Sequence, residues 1–318
     1  MELNFLSLLG VVAPVFAIIA AGVGLRRVGW LTAQADESLL RVGVNFLFPC
    51  LIADKSLGNA LLGRADNIIG PPLVGFASVV LGFAVAALAA RMLRLPSPSA
   101  RAFTFTTGLQ NYGYLPIPIV LALFPPDTAG VLFVHNLGIE AGLWTVGIWI
   151  LSGHRGRAGW RQIINVPICA LLGSLLLNAL HAAAWLPPFA LGAMHMVGES
   201  AVPVGLLLSG AVLADQLAEE KGSAHAARAG VLTAAVGVRL AVLPLVLLAG
   251  AHWLPLSPDL RRIVVVQAAM PSALLPIILA RHYGADSALA LGIVIGTTVV
   301  SLLTIPAWLH FGAWWVGI

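Results

Sequence analysis

In a chain of 318 residues, 59% of the side chains are hydrophobic and only 9% are charged. A soluble domain carries about 25% charged residues to wet its surface, so a soluble enzyme is excluded and lipid is the expected solvent. The net charge of +4 marks no nucleic-acid face, because the basic residues are scattered through short loops. Cys50 and Cys169 sit singly in apolar runs, without a Cys-x-x-Cys pair or metal-ligand spacing, and read as small apolar side chains.

Apolar runs of about 20 residues, enough to span a ~30 Å hydrocarbon core, begin at once. The first lies at about 7–25, after Met1-Glu2-Leu3-Asn4 and before Arg26-Arg27. That order predicts a first span whose leading end is outside, rather than a cleaved signal peptide. Further runs lie at about 37–54, 71–91, 102–123, 128–151, 163–182, 199–216, 229–250, 262–281 and 287–309. The runs are continuous, whereas β-barrel segments alternate over about 10 positions, so ten transmembrane α-helices are predicted. Trp308, Phe311, Trp314 and Trp315 are placed as aromatic anchors at the outer interface.

Basic residues orient the spans. One side holds Arg26, Arg27, Arg41, Arg91, Arg94, Arg101, Arg155, Arg157, Arg161, Lys221, Arg228 and Arg281; the other holds only Lys55, Arg64, Arg261 and Arg262. Both termini are therefore expected outside the cytoplasm.

An internal repeat underlies the hydropathy. Asn45-x-x-x-Pro49 is matched by Glu199-x-x-x-Pro203, and Asn111-Tyr-Gly-Tyr-Leu-Pro116 by Pro271-Ser-Ala-Leu-Leu-Pro276; Asp127 and Asp286 then open the next span. Five spans per half is odd, so the halves insert with opposite orientation, an arrangement typical of secondary transporters. The expected organisation is a first five-helix repeat at 1–153, a cytoplasmic linker at 154–162 and an inverted repeat at 163–318. Proline removes a donor and clashes with the preceding turn, so Pro116 and Pro118 predict a break in span four, and Pro271 and Pro276 one in span nine. Unwound backbone at such depth must line a cavity or pack inside protein.

On these residues the chain resembles the auxin efflux carrier family, which includes plant auxin exporters and bacterial permeases for malonate and malate. The resemblance covers most of the chain. It is carried by Asn111-Tyr-Gly-Tyr-Leu-Pro116-Ile-Pro118 and Ala268-Ala-Met-Pro271-Ser, with Asn45-Phe-Leu-Phe-Pro49 and Arg239-Leu-Ala-Val-Leu-Pro244 also similar. It implies ten helices in two inverted halves, with spans four and nine crossing at their broken midpoints and substrate bound there. Bile-acid symporters and some sodium/proton antiporters share that core. It also implies a bacterial inner-membrane location and is compatible with a homodimer. Pro271 and Ser272 stand where plant members carry a second asparagine, and the loop 152–162 lacks their long hydrophilic insert, which points away from an auxin-type substrate.

The function expected is secondary active transport of a small organic anion, a carboxylate, with protons or sodium as the coupling ion; the alternative is a channel or a non-transporting membrane subunit. Candidate substrate residues are Asn111, Gln110, Tyr114, Pro116, Gln267, Pro271, Ser272 and Asn45. The half-helix N-termini would add free amides and partial positive charge. Charges inside the membrane tend to be functional. Glu140, one turn past Asn136, is either a protonatable coupling group or a neutral carboxyl bonded to a neighbouring helix. Glu199 reads as a coupling group or an interfacial residue, and His135 as a proton relay or a buried, satisfied histidine. Arg239 either snorkels to the cytoplasmic interface or needs a carboxylate partner. His-Glu-x-x-His, Gly-x-Ser-x-Gly and P-loop signatures are all missing. Catalysis, a cofactor, a metal site, nucleic-acid binding and nucleotide-driven pumping are accordingly not expected.

Overall fold

The computed structural model describes residues 4–153, 160–219 and 225–318; the expected linker thus lies mostly outside the described residues, as do Arg155, Arg157 and Lys221. Apart from one isolated β-bridge, the regular structure among the described residues is helical. In chain order, α1 (Phe5–Arg27) precedes α2 (Ala33–Val42) and α3 (Phe48–Ser56), which join through a π turn at Gly43–Leu47. Next comes α4 (Asp66–Met92), then α5 (Ser97–Gly108) and α6 (Pro116–Leu123), separated by non-helical chain. A second π turn, Leu143–Gly147, carries α7 (Thr128–Gly142) into α8 (Ile148–Leu151); α9 (Trp160–Ile163) and α10 (Val166–Ala179) follow. The rod of α11 (Pro188–Glu199) and α12 (Ala201–Glu219) is interrupted only at Ser200. A third π turn, Val238–Val242, joins α13 (His225–Gly237) to α14 (Leu243–Trp253). Finally α15 (Pro258–Ala269) and α16 (Leu275–His282) are again separated, and α17 (Ser287–Val316) is the last helix.

Six of these rods, of 23 to 31 residues, are long and apolar enough to cross a membrane. Leu73, Leu88, Val299 and Leu303 point outward from α4 and α17, each 59–68% exposed. Leaving a leucine in water forgoes about 1.5–3 kcal/mol, a loss that hydrocarbon removes. The chain is a multi-pass membrane protein. The other four apolar runs take different forms. The run 37–54 lies within α2–α3, 163–182 contains only the 14-residue α10, and 102–123 and 262–281 are each split in two.

Local chemistry explains the interruptions. Pro49 and Pro244 each follow a π turn, where the wider winding relieves the clash of the proline ring with the preceding turn. Pro244 also has no N–H to offer Leu240, and Trp308 Nε1 donates to the Leu240 carbonyl at 2.6 Å instead. Trp308 is thus half-buried and points inward, which corrects its placement as an interfacial anchor. The start of α17 is capped by Asp286, whose carboxylate accepts from Leu289 N–H at 3.0 Å.

The helices pack as two groups. In one, α1 lies on α12, and α3 on α10 and α11; in the other, α4 lies on α5 and α7, while α13 to α17 complete the cluster. Contacts of α1 with α17 and of α3 with α7 join the groups. Glycine allows backbone-to-backbone contact: a Cβ at Gly138 would stand 1.8 Å from the Pro72 carbonyl oxygen, and one at Gly22 would stand 2.1 Å from that of Leu207. Such approach lets dispersion act without a hydrophobic drive, the usual device between helices in lipid.

Candidate substrate site at two crossed helix breaks

Residues 109–115 and 270–274 are non-helical segments inside otherwise helical rods, and they lie against each other. Asn111 N–H donates to Pro271 O at 2.7 Å, and Ala273 N–H to Leu109 O at 3.1 Å. Gln110 and Ser272 therefore face each other as an antiparallel pair. Each break satisfies backbone groups exposed by the other, as lipid-depth chain requires.

An extended segment sends alternate side chains to opposite faces. On one face, Gln110 and Ser272 are buried against the interior of the second helix group. Gln110 Nε2 donates to Ser78 Oγ at 3.4 Å, and Ser272 N–H to Thr297 Oγ1 at 3.3 Å. On the other face lies a cavity of about 450 Å³, at the seam between the two helix groups. Its walls are Asn111 to Tyr114 and Ala273 to Leu275 from the breaks, Phe133, Asn136 and Glu140 from α7, Phe48 and Ile52 from α3, Ile168 and Leu171 from α10, and Gly205, Leu208 and Ser209 from α12. Most are apolar, as in ligand sites generally. The Tyr114 ring fits only because residue 205 is glycine: a Cβ there would stand 2.1 Å from the ring.

One polar chain runs along the wall. Tyr112 OH donates to Glu140 Oε1 at 2.8 Å, and Trp144 Nε1 donates to Oε2 at 2.6 Å. Asn136 Nδ2 donates to the Tyr112 carbonyl at 2.9 Å, and its own Oδ1 accepts from Gln267 Nε2 at 3.2 Å. Two residues one turn apart on α7 thus hold Tyr112 by its hydroxyl and its main chain, and reach α15 as well.

The family described as "Membrane transport protein" matches this chain twice, over residues 7–158 and 154–309. The chain belongs to the auxin efflux carrier family of membrane transport proteins. It is also 24% identical over 300 residues to an "Uncharacterized transporter" of Methanothermobacter thermautotrophicus, a match covering 93% of this chain and 96% of that one.

Within this family member, Asn111, Tyr114 and Glu140 line the cavity. A second, far smaller space of about 20 Å³ touches Asn111, Tyr114 and Pro271. Gln110, Ser272 and Gln267 are buried beside the crossing and are not among the cavity's lining residues. Gln110 Oε1, Gln267 Oε1 and Ser272 Oγ find no hydrogen-bond partner among the described residues. Pro116 is the first residue of α6 and is buried. Asn45 is exposed on the first π turn and donates to Arg41 O at 2.9 Å, away from the cavity. Glu199 is exposed and pairs with His195 at 3.3 Å, while the other ring nitrogen of His195 meets Asp54 at 3.2 Å. His135 is buried beside Gly75 and does not line the cavity.

Two readings need correction. Arg239 does not snorkel, and among the described residues it meets no carboxylate: its guanidinium is fully buried, with Nη1 3.4 Å from the Gly108 carbonyl. Gly108 is the last residue of α5, so the cation faces the negative end of a half-helix. The half-helix N-termini are also poorer in amides than their number suggests. Pro116, Pro118 and Pro276 have no N–H, and Ile277 N–H is already bonded to Leu274 O at 3.1 Å. Tyr112, Trp144, Gly205 and Ser209 were not singled out from sequence. Trp144 had a signal, standing one turn from Glu140; Gly205 and Ser209 join only through tertiary packing.

Proposed function

We propose that this transporter carries a small, largely apolar organic acid across the cell membrane by alternating access, and that a proton travels with it on Glu140. The observation that carries the reading is the cavity: it sits at the seam of two helix groups, against the crossed breaks, with Glu140 in its wall. Relative rocking of the groups, built on two inverted five-helix halves, would open that seam to one side and then the other.

The proton follows from electrostatics. No Lys, Arg or His is among the lining residues. A carboxylate about 4 Å from an ionised Glu140 would be opposed by about 4 kcal/mol at an effective dielectric near 20, close to a thousandfold in affinity. Protonating Glu140 removes that opposition, so acid and proton bind together.

The test is uptake into proteoliposomes across a panel of labelled carboxylic acids. Expected is saturable uptake, accumulation driven by an inward proton gradient, and its collapse on adding a protonophore. Glu140→Gln should lose accumulation but keep exchange. Non-saturable flux indifferent to the gradient would favour a channel, and normal accumulation by Glu140→Gln would remove the carboxyl from coupling.

A further inference from the structure

The cavity is chemically lopsided for a site that takes anions. Glu140 carries its only carboxyl, the other titratable groups in its wall are Tyr112 and Tyr114, and no basic side chain is among the lining residues. Four aromatic rings, of Phe48, Tyr112, Tyr114 and Phe133, belong to the same wall. Phe48 stands edge-on to Tyr114 at 5.3 Å and to Phe133 at 6.3 Å. Ring faces attract cations, by about 2 kcal/mol or more when desolvated. Both Glu140 oxygens accept from neutral donors, which steady the carboxylate without cancelling its charge.

We propose that the same cavity binds small apolar ammonium ions, with the charged nitrogen on Glu140 and the hydrocarbon body among the aromatic rings and Leu208. This rests on the reading that the cavity is the ligand site, and adds a second ligand class to it. The charge balance is simple. An acid enters as anion plus proton and leaves Glu140 neutral. An ammonium ion enters already protonated, and the Glu140 proton, where present, leaves to the bulk. Acid and amine therefore compete for one space with opposite dependence on pH.

Three six-carbon probes separate the outcomes: hexylammonium, hexanoate and hexanol, titrated calorimetrically into the protein in lipid nanodiscs at pH 6 and pH 8. Hexylammonium is expected to bind at least tenfold more tightly than hexanol at pH 8, and to weaken at pH 6, where protons compete. Hexanoate is expected to do the reverse. In Glu140→Gln, hexylammonium should fall to the level of hexanol while hexanol itself is unchanged, which also reports an intact cavity. Hexylammonium no tighter than hexanol at pH 8 overturns the proposal even if the variant does not fold. Failure of hexanoate alone would instead sink the organic-acid reading and leave the ammonium site standing.

Discussion

Asn111 is the polar side chain best placed to hold a ligand. It touches both the large cavity and the small one beside Pro271. The crossing itself depends on its main-chain N–H, which donates to Pro271 O, so the side chain can be removed without undoing the pair. Asn111→Ala should therefore leave the unfolding temperature within a degree or two of wild type. Affinity for a carboxylate ligand should fall by tenfold to a hundredfold, since a hydrogen bond to a charged group is worth about 1.5–3 kcal/mol. Calorimetry with any acid that binds the wild type checks this; a change under twofold would make Asn111 a packing residue. Asn111 and Tyr114 stood out in the sequence as polar groups beside prolines in an apolar run, and Glu140 as a charge in the middle of one. The neighbouring Gln110 was misplaced for a physical reason. Once the helix unwinds into extended chain, adjacent residues point to opposite faces, and Gln110 goes to the buried one with Ser272.

At the scale of elements, prolines announced the breaks in both rods, but not what the freed groups do. The mutual bonds of 109–111 and 271–273 are long-range and leave no local mark. Nor did hydropathy find the full α11–α12 rod, whose first helix carries His195 and ends at Glu199. A sharper prediction concerns the contact of α4 with α7. A Cβ at Gly138 would lie 1.8 Å from the Pro72 carbonyl oxygen and 2.6 Å from Phe76 N, both backbone atoms that cannot swing away. Gly138→Ala should push the helices apart and destabilise the protein by about 1–3 kcal/mol, the usual range for overpacking. Because Asn136 and Glu140 flank Gly138 on the same helix, ligand binding should weaken with it. Gly10→Ala in α1 is the control: nothing lies within 4 Å of its Cβ, and alanine is the better helix former by about 1 kcal/mol. Thermal unfolding in detergent should show Gly138→Ala clearly below wild type and Gly10→Ala equal or slightly above. Equal stability of the two variants would mean that α4 and α7 are less tightly apposed.

For the whole molecule, hydropathy sufficed to predict a helical membrane protein, because lipid demands long apolar rods whatever their packing. It could not supply the seam between helix groups, which depends on contacts such as α1 with α17. Orientation rests on charge. Of the four basic residues on the sparse side, Lys55 pairs with Asp54 at 2.7 Å, Arg64 with Asp66 at 2.8 Å and Arg262 with Asp259 at 2.8 Å. The Arg64–Asp66 pair is exposed at the surface. Local neutralisation suits a side that must be translocated. The sequence assigns twelve basic residues to the opposite side, a bias strong enough to set the orientation. Both ends of the chain should then be outside the cytoplasm, with the loop at 152–162 inside. A reporter active only in the cytoplasm should be silent when fused after Ile318 and active when inserted in that loop. The loop carries Arg155, Arg157 and Arg161, so replacing all three by Gln should weaken the bias and raise the fraction of chains with an active reporter after Ile318. An active reporter after Ile318 in the unaltered chain would invert the topology. It would also place the outer aromatic cluster of Trp314 and Trp315 on the cytoplasmic side.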